Sequence, residues 1–245
     1  MHSNYNALVV AVNRRFYHTF QIQSSYTFSH SIDDGQSSQT FTSSNNVLNP
    51  FDLALEKSSS NFDIRHRFVI GTVWTPHFYP GESRLFKELL NGFTISPLVA
   101  ASTGAPYTPL IQGNAPTING VKGVSTGVLG AGGTNRPPFI GANAFTVPRT
   151  TNFDLRLEKG FNIWEKVKFT LTGDAFNLFN HTNFTGVDTQ IYTTGTACLP
   201  AGSACPNPTS FTPTLTFNSH FGVPTQSSNS IIAQRQIQIG MRLDF

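Results

Sequence analysis

The chain is poor in charge. Asp, Glu, Lys and Arg make up 12 % of it, about half the share of roughly 25 % found in soluble globular proteins. That composition does not suit an ordinary cytosolic enzyme. It does not suit disorder either, because disordered chains lack aromatics and this one carries 22 Phe. Long hydrophobic runs are also missing. The longest aliphatic run, Ala7 to Val12, falls far short of the ~20 apolar residues of a membrane-crossing helix. It is too short for the core of a signal peptide as well, and the charged flank and cleavage site of one are absent. If the protein is exported, its start is expected to be missing from this sequence. Basic runs are lacking too. Net charge is +3 with dispersed Lys and Arg, and the densest spot is Arg65-His66-Arg67, so no nucleic-acid partner is expected. There are only two cysteines, Cys198 and Cys205, close together in a Pro/Gly/Thr-rich stretch. They predict a loop-closing disulfide formed in an oxidising compartment; a metal site is the weaker reading, since no His or second Cys pair lies nearby.

What the chain does have is alternation. Within the last eleven residues, Arg235 to Phe245, apolar and polar residues alternate strictly from Gln236 on. Side chains of a strand point to opposite faces with period 2. One face is therefore Ile237, Ile239, Met241, Leu243 and Phe245, and the other is Gln236, Gln238, Gly240, Arg242 and Asp244. About 9–11 residues is the length of a tilted strand crossing a bilayer. Similar patterns predict strands over 4–16, 19–31, 63–75, 92–104, 150–160, 166–179 and 231–245. Pro97 inside the fourth cannot donate to a ladder, which predicts a bulge or a local break there. Leu85, Phe86, Leu89 and Leu90 have helical spacing and predict one or two helical turns within the 76–91 connection.

The connections alternate in length. Short ones follow the first, third and fifth strands; long polar loops, 32–62, 105–149 and 180–230, follow the second, fourth and sixth. All long loops then fall at one end of the strands. Soluble sandwiches carry loops at both ends, whereas outer-membrane barrels have short periplasmic turns and longer extracellular loops. Charge placement agrees. Arg or Lys facing lipid at mid-bilayer costs roughly 2–4 kcal/mol, and Arg156, Glu158, Lys168, Asp174, Arg242 and Asp244 all fall on one face, the lumen. Trp74, Phe161 and Trp164 sit beside short turns, where a periplasmic aromatic girdle belongs. The fold class expected is all-β: an antiparallel transmembrane β-barrel segment of about seven meander strands.

No catalytic constellation stands out, and no cofactor or metal is expected. The seven histidines are scattered. The Gly120–Gly133 stretch lacks the Gly-Lys-Ser/Thr ending of a phosphate loop, and Asp33-Asp34 lacks a third acidic ligand at calcium-site spacing. Two glycosylation-like patterns, at Asn180 and Asn183, have no such role in a bacterial barrel. Arg65, Arg67, Arg156 and Arg242 could line a permeation path; the plainer expectation is cross-strand pairing with Asp154, Glu158, Asp174 and Asp244.

Several runs resemble one family. Phe153-Asp154-Leu155-Arg156-Leu157-Glu158-Lys159, Asp174-Ala175-Phe176-Asn177-Leu178-Phe179-Asn180-His181-Thr182-Asn183-Phe184, Phe221-Gly222, the last twelve residues and Asp63-Ile64-Arg65-His66-Arg67-Phe68 are similar to the C-terminal end of TonB-dependent outer-membrane receptors. The group is the Oar-like receptors with an N-terminal carboxypeptidase-regulatory-like domain. The resemblance implies a barrel of about 22 strands with a plug, lodged in outer-membrane lipid, that takes up a bulky ligand powered by a TonB-type energy-coupling complex. It also implies that Phe245, with Leu243 and Met241, forms the signal read by the barrel-assembly machinery. The chain carries no plug and no energy-coupling box, only the last third of such a barrel. An odd number of strands and two open edges, which lipid cannot satisfy, lead to the expectation of a fragment. A passive pore or adhesin barrel and a soluble carbohydrate-binding β-sandwich are the rival readings; an enzyme is the least supported.

Overall fold

The computed structural model describes residues 2–17, 19–34, 52–112, 136–137, 139–164, 167–198, 211–227 and 234–245. The first strands are β1 (Ser3–Tyr17), β2 (Phe20–Asp33), β3 (Ser58–Ser59), β4 (His66–Trp74) and β5 (Phe93–Ser102). Three short ones follow, β6 (Pro106–Tyr107), β7 (Leu110–Gln112) and β8 (Phe145–Thr146), and then β9 (Thr150–Trp164) and β10 (Val167–Phe176). The last are β11 (Phe184–Val187), β12 (Gln190–Cys198), β13 (Phe211–Phe217), β14 (Pro224–Ser227) and β15 (Gln236–Asp244). One α-helix is described, α1 (Arg84–Leu90), within the predicted 76–91 connection.

The wall of the molecule is a meander in the order β1-β2-β4-β5-β9-β10-β15, antiparallel at every step, with β3 added beside β2. Register fixes which side chains share a face. Phe169, Leu171, Gly173 and Ala175 of β10 stand opposite Leu243, Met241, Ile239 and Ile237 of β15. On the other side of β10 they meet Phe161, Lys159, Leu157 and Leu155 of β9. The same face continues through Phe93, Ile95, Pro97 and Val99 of β5 to Phe68, Ile70 and Trp74 of β4. It ends in Tyr26 and Phe28 of β2 and Val10 and Leu8 of β1. The opposite face carries Arg156, Glu158, Lys168, Asp174, Arg242 and Asp244.

This apolar face is uncovered. Ile237, Ile239 and Met241 are 71–74 % exposed. Buried hydrophobic residues among those described are just Ile111, Ala142 and Ile191, and all three belong to the long connections rather than to the wall. A soluble sheet would bury such a face; a contiguous exposed one marks contact with lipid or another surface.

The ladders explain where strands stop. At Pro97 there is no bulge. Pairing with β9 runs through it, while on the β4 side Thr72 and Val73 have no partner and the register resumes unchanged at Trp74 and Ile95. This is a local break, as expected where an N–H is missing. β10 ends at Phe176, short of the predicted 179, because Asn177 turns left-handed (φ 48°). β4 begins at His66, not 63, because Asp63 is engaged by the end of β2: its carboxylate accepts from the Ser31 N–H at 2.9 Å.

The long connections differ from the predicted loops. They contain β3, β6–β8 and β11–β14, arranged as an antiparallel β6–β8 pair, an antiparallel β11–β14 pair and a β13-β12-β7 sheet whose β7–β12 pairing is parallel. Thr, Tyr and Ile in Gln190–Cys198 and Phe and Thr in Phe211–Phe217 are the β-branched and aromatic residues that strands favour.

Candidate functional site

Two regions could act on a solute: the polar face of the wall and the folded cap made by the long connections.

On the polar face Arg156 binds Asp174 across β9 and β10, Nε to Oδ1 at 2.6 Å and Nη2 to Oδ2 at 3.1 Å, with Glu158 at 4.0 Å on the same strand as Arg156. The other expected cross-strand pairs are replaced. Arg242 bonds Asp244 on its own strand at 2.7 Å. Arg65 bonds Asp63 at 3.0 Å. Arg67 takes part in no ion pair among the described residues. Asp154 accepts instead from Asn152 Nδ2 and from the Asn177 N–H, each at 2.8 Å. The physical reason is reach: residues two apart on one strand share a face, and the neighbouring amides satisfy Asp154 first.

The cap begins with the asparagines after β10. Asn177 and Asn180 are both left-handed (φ 48° and 52°), a conformation Asn tolerates better than other side chains. Asn177 is 2 % exposed; it donates to the His181 carbonyl at 2.9 Å and accepts from the His181 N–H at 3.0 Å. Asn180 accepts from the Arg235 N–H at the entrance to β15, and Asn183, equally buried, accepts from the Thr151 N–H of β9 at 2.8 Å. Phe179 packs on Phe153, ring centroids 5.0 Å apart. The Asn-rich segment is thus a knot joining β9, β10 and β15.

Further knots tie the connections together. Arg136 and Glu56, both buried, meet at 2.8 Å, and Arg136 also donates to the Leu55 carbonyl at 3.0 Å. Asn143, left-handed at φ 49°, donates to the Ser59 carbonyl and to Asn61 Oδ1, each at 2.7 Å, and pairs twice with the Thr108 hydroxyl. Tyr107, Phe145 and Phe221 form an aromatic trio with centroids 5.0–6.1 Å apart, Tyr107 stacked on Phe145 and Phe221 edge-on to Phe145. Burial, followed by the negative charge of Asp188, pushes the Tyr107 hydroxyl above its usual range. At the base of the cap burial alone would raise the Asp63 carboxyl. The Ser31 N–H, Arg65 and His30 outweigh it and hold the group below the usual carboxylate range. The cap leaves Phe139 and Phe217 64 % and 59 % exposed, each against Tyr192 with ring centroids 6.2 and 5.9 Å apart. This aromatic patch is the part of the cap best suited to touch a ligand. The periodicity of the wall gave no sign of it.

At the opposite end Trp74 and Phe161 lie on the apolar face near the short turns. Trp74 stands opposite Phe20 and against Phe78 (6.1 Å), and Phe161 against Phe169 (6.2 Å). The side chain of Trp164 lies outside the described residues. So does the predicted Cys198–Cys205 disulfide. Phe245 ends the apolar row of Met241 and Leu243 and is 98 % exposed. Lys159, which the periodicity left without a role, falls on the apolar face between Phe93 and Leu171. Among the described residues no three His, Cys, Asp or Glu gather in a metal-holding group. Among the described residues no helix is long and apolar enough to cross a membrane.

Neither the curated proteins nor the solved structures hold a match to this chain. The pattern of a family described as an outer membrane beta barrel domain matches residues 1–238. With its uncovered apolar face, its Arg156, Asp174, Arg242 and Asp244 gathered on the opposite one and its uniform antiparallel meander, the chain belongs to that outer membrane beta barrel domain family and resides in the outer membrane.

Proposed function

We propose that the chain forms the C-terminal part of the barrel of a TonB-dependent receptor that takes up a bulky ligand, with no catalytic role. The observation that carries this reading is the pair of open edges. Among the described residues β1 and β15 end the meander, each with one neighbour. Six antiparallel pairings leave them running in the same direction, so their direct union would be parallel in an otherwise antiparallel wall. Lipid offers unpaired backbone groups nothing, so the wall needs further strands. The knots at Asn143, Arg136 and Asn177 support a cap that is built rather than loose, and its Phe139–Tyr192–Phe217 patch leaves exposed aromatic surface for a ligand. The long connections are extracellular on this reading and the short turns periplasmic. The plug, and through it the energy-coupling complex, belongs to the remainder of the receptor.

Single-channel recording separates this from a passive pore. The intact protein in a planar bilayer passes little current until denaturant displaces the plug. A steady open current from the untreated protein would overturn the receptor reading.

A further inference from the structure

α1 is only seven residues long and none of them is buried. Leu85, Phe86, Leu89 and Leu90 all stand exposed. So short a helix does not hold by itself. Its support comes from the wall. Lys159 Nζ donates to the Glu88 carbonyl at 2.6 Å and to the Asn91 carbonyl, capping the C-terminal carbonyls of the helix. The Asn162 N–H donates to Glu88 Oε2 at 3.3 Å. The Asn91 side chain brackets the backbone of Tyr79 at 2.8 and 2.9 Å. Gly92 follows at φ 77°, where a Cβ would lie 2.8 Å from the Gly160 carbonyl oxygen. Lys159 shares its face with Leu157 and Phe161, so α1 is fastened to the outside of the wall and not across the mouth of the lumen.

Beside it the apolar face is hollow. A groove of about 530 Å³ is lined mostly by apolar residues, Phe93, Leu157, Leu171, Gly173 and Ile239 among them, with the charged Glu158 and Lys159 also in its lining. A Cβ added at Gly173 would meet nothing within 4 Å. A second hollow of about 590 Å³ is lined by Arg84, Leu85, Glu88 and Leu89 of α1 and by Phe161 and Asn162 of the wall; the Glu88 carboxylate in it already accepts from the Asn162 N–H. Neither Arg84 nor Lys87 takes part in an ion pair among the described residues. Lys159 already donates to two carbonyls.

We propose that α1 and the groove beside it bind an anionic phospholipid of the periplasmic leaflet, one acyl chain lying over Gly173 and the headgroup phosphate meeting Arg84 and Lys87. The proposal rests on the short-turn end facing the periplasm. The groove is continuous with the lipid-contacting face of an outer-membrane barrel, so lipid is what reaches it. The two unmatched cations select the anionic species, each contributing about five-fold in affinity at a membrane surface.

The test uses the protein in its complete barrel, reconstituted in phosphatidylethanolamine vesicles. Cys198 and Cys205 are replaced by Ser and a dye is placed at Leu89→Cys or, as a reference on the same lipid face, at Met241→Cys. Doxyl-labelled phosphatidylglycerol and doxyl-labelled phosphatidylcholine are the quenching probes. The expected result is that the dye at 89 is quenched at several-fold lower content of the phosphatidylglycerol probe, and that Arg84→Gln with Lys87→Gln removes this preference while the dye at 241 shows none. Equal quenching at 89 by both probes, or quenching at 241 with none at 89 (as a second copy covering the groove would give), overturns the lipid site. Absence of quenching at both positions overturns the membrane orientation as well.

Discussion

The guanidinium of Arg156 is fastened to the carboxylate of Asp174 across β9 and β10 by two hydrogen bonds, 2.6 Å from Nε and 3.1 Å from Nη2. The Asp174 side chain is nearly covered, while Arg156 is half open to the lumen, so water screens the pair and its net worth is modest. A double-mutant cycle with Arg156→Gln and Asp174→Asn, read by denaturant unfolding in vesicles, is expected to give a coupling of about 1 kcal/mol. A coupling indistinguishable from zero would mean that the two side chains do not hold each other in the folded wall.

Asn180 adopts φ 52° and accepts from the Arg235 N–H at 3.0 Å. Replacing it by Ala keeps a Cβ in a left-handed backbone and deletes the bond, a loss of about 2 kcal/mol. Asn180→Gly restores the backbone freedom and should recover about half of that. Asn177→Ala should cost more than either, since the buried Asn177 side chain makes two bonds to the His181 backbone where Asn180 makes one to Arg235. Thermal unfolding of the three variants checks the order; equal losses for Asn180→Ala and Asn180→Gly would remove the role of the left-handed conformation.

Asp63 contributes an acid-side pH response at the base of the cap. Its folded pKa lies below the usual value. The stabilisation is therefore present above the unfolded pKa, near about 4, and is lost as pH falls through the folded value. Asp63→Asn should remove this acid-side loss and lower stability at neutral pH. Unfolding midpoints for both chains between neutral and strongly acidic pH test it. Parallel profiles would show that Asp63 contributes nothing to the dependence.

Lys159 positions α1. Lys159→Met removes both carbonyl contacts while keeping an unbranched stem on the apolar face. The helix should loosen, and chymotryptic cleavage at Phe86 and Leu89 should accelerate several-fold with the wall intact. Unchanged cleavage would show that Gly92 and the Asn91 bracket suffice to hold it.

The wall was legible in the sequence because period-2 alternation is a property of each strand alone. The run Ile237, Ile239, Met241, Leu243 needs no partner to be read, and a slip by one residue would put Arg242 and Asp244 in lipid. The α1 turns were legible from the spacing of Leu85, Phe86, Leu89 and Leu90. The cap was not. β7 reaches β12 across 77 intervening residues, and Asn143 meets Ser59 and Asn61 from more than 80 positions away. Such knots depend on where the wall delivers the loop ends, which no local pattern records. The partners of Arg242 and Arg65 were misplaced for the opposite reason: an acidic residue two positions along the same strand, or just before it, lies within reach before any cross-strand one does.

The central claim is that one face of β15 lies in lipid and the other in a water-filled lumen. Single cysteines placed in turn at positions 236 to 244, in outer membranes and with Cys198 and Cys205 replaced by Ser, test it directly when challenged with a membrane-impermeant maleimide. The account predicts that 236, 238, 240, 242 and 244 react and that 237, 239, 241 and 243 are protected. Uniform reaction along the strand, or the opposite phase, would contradict it.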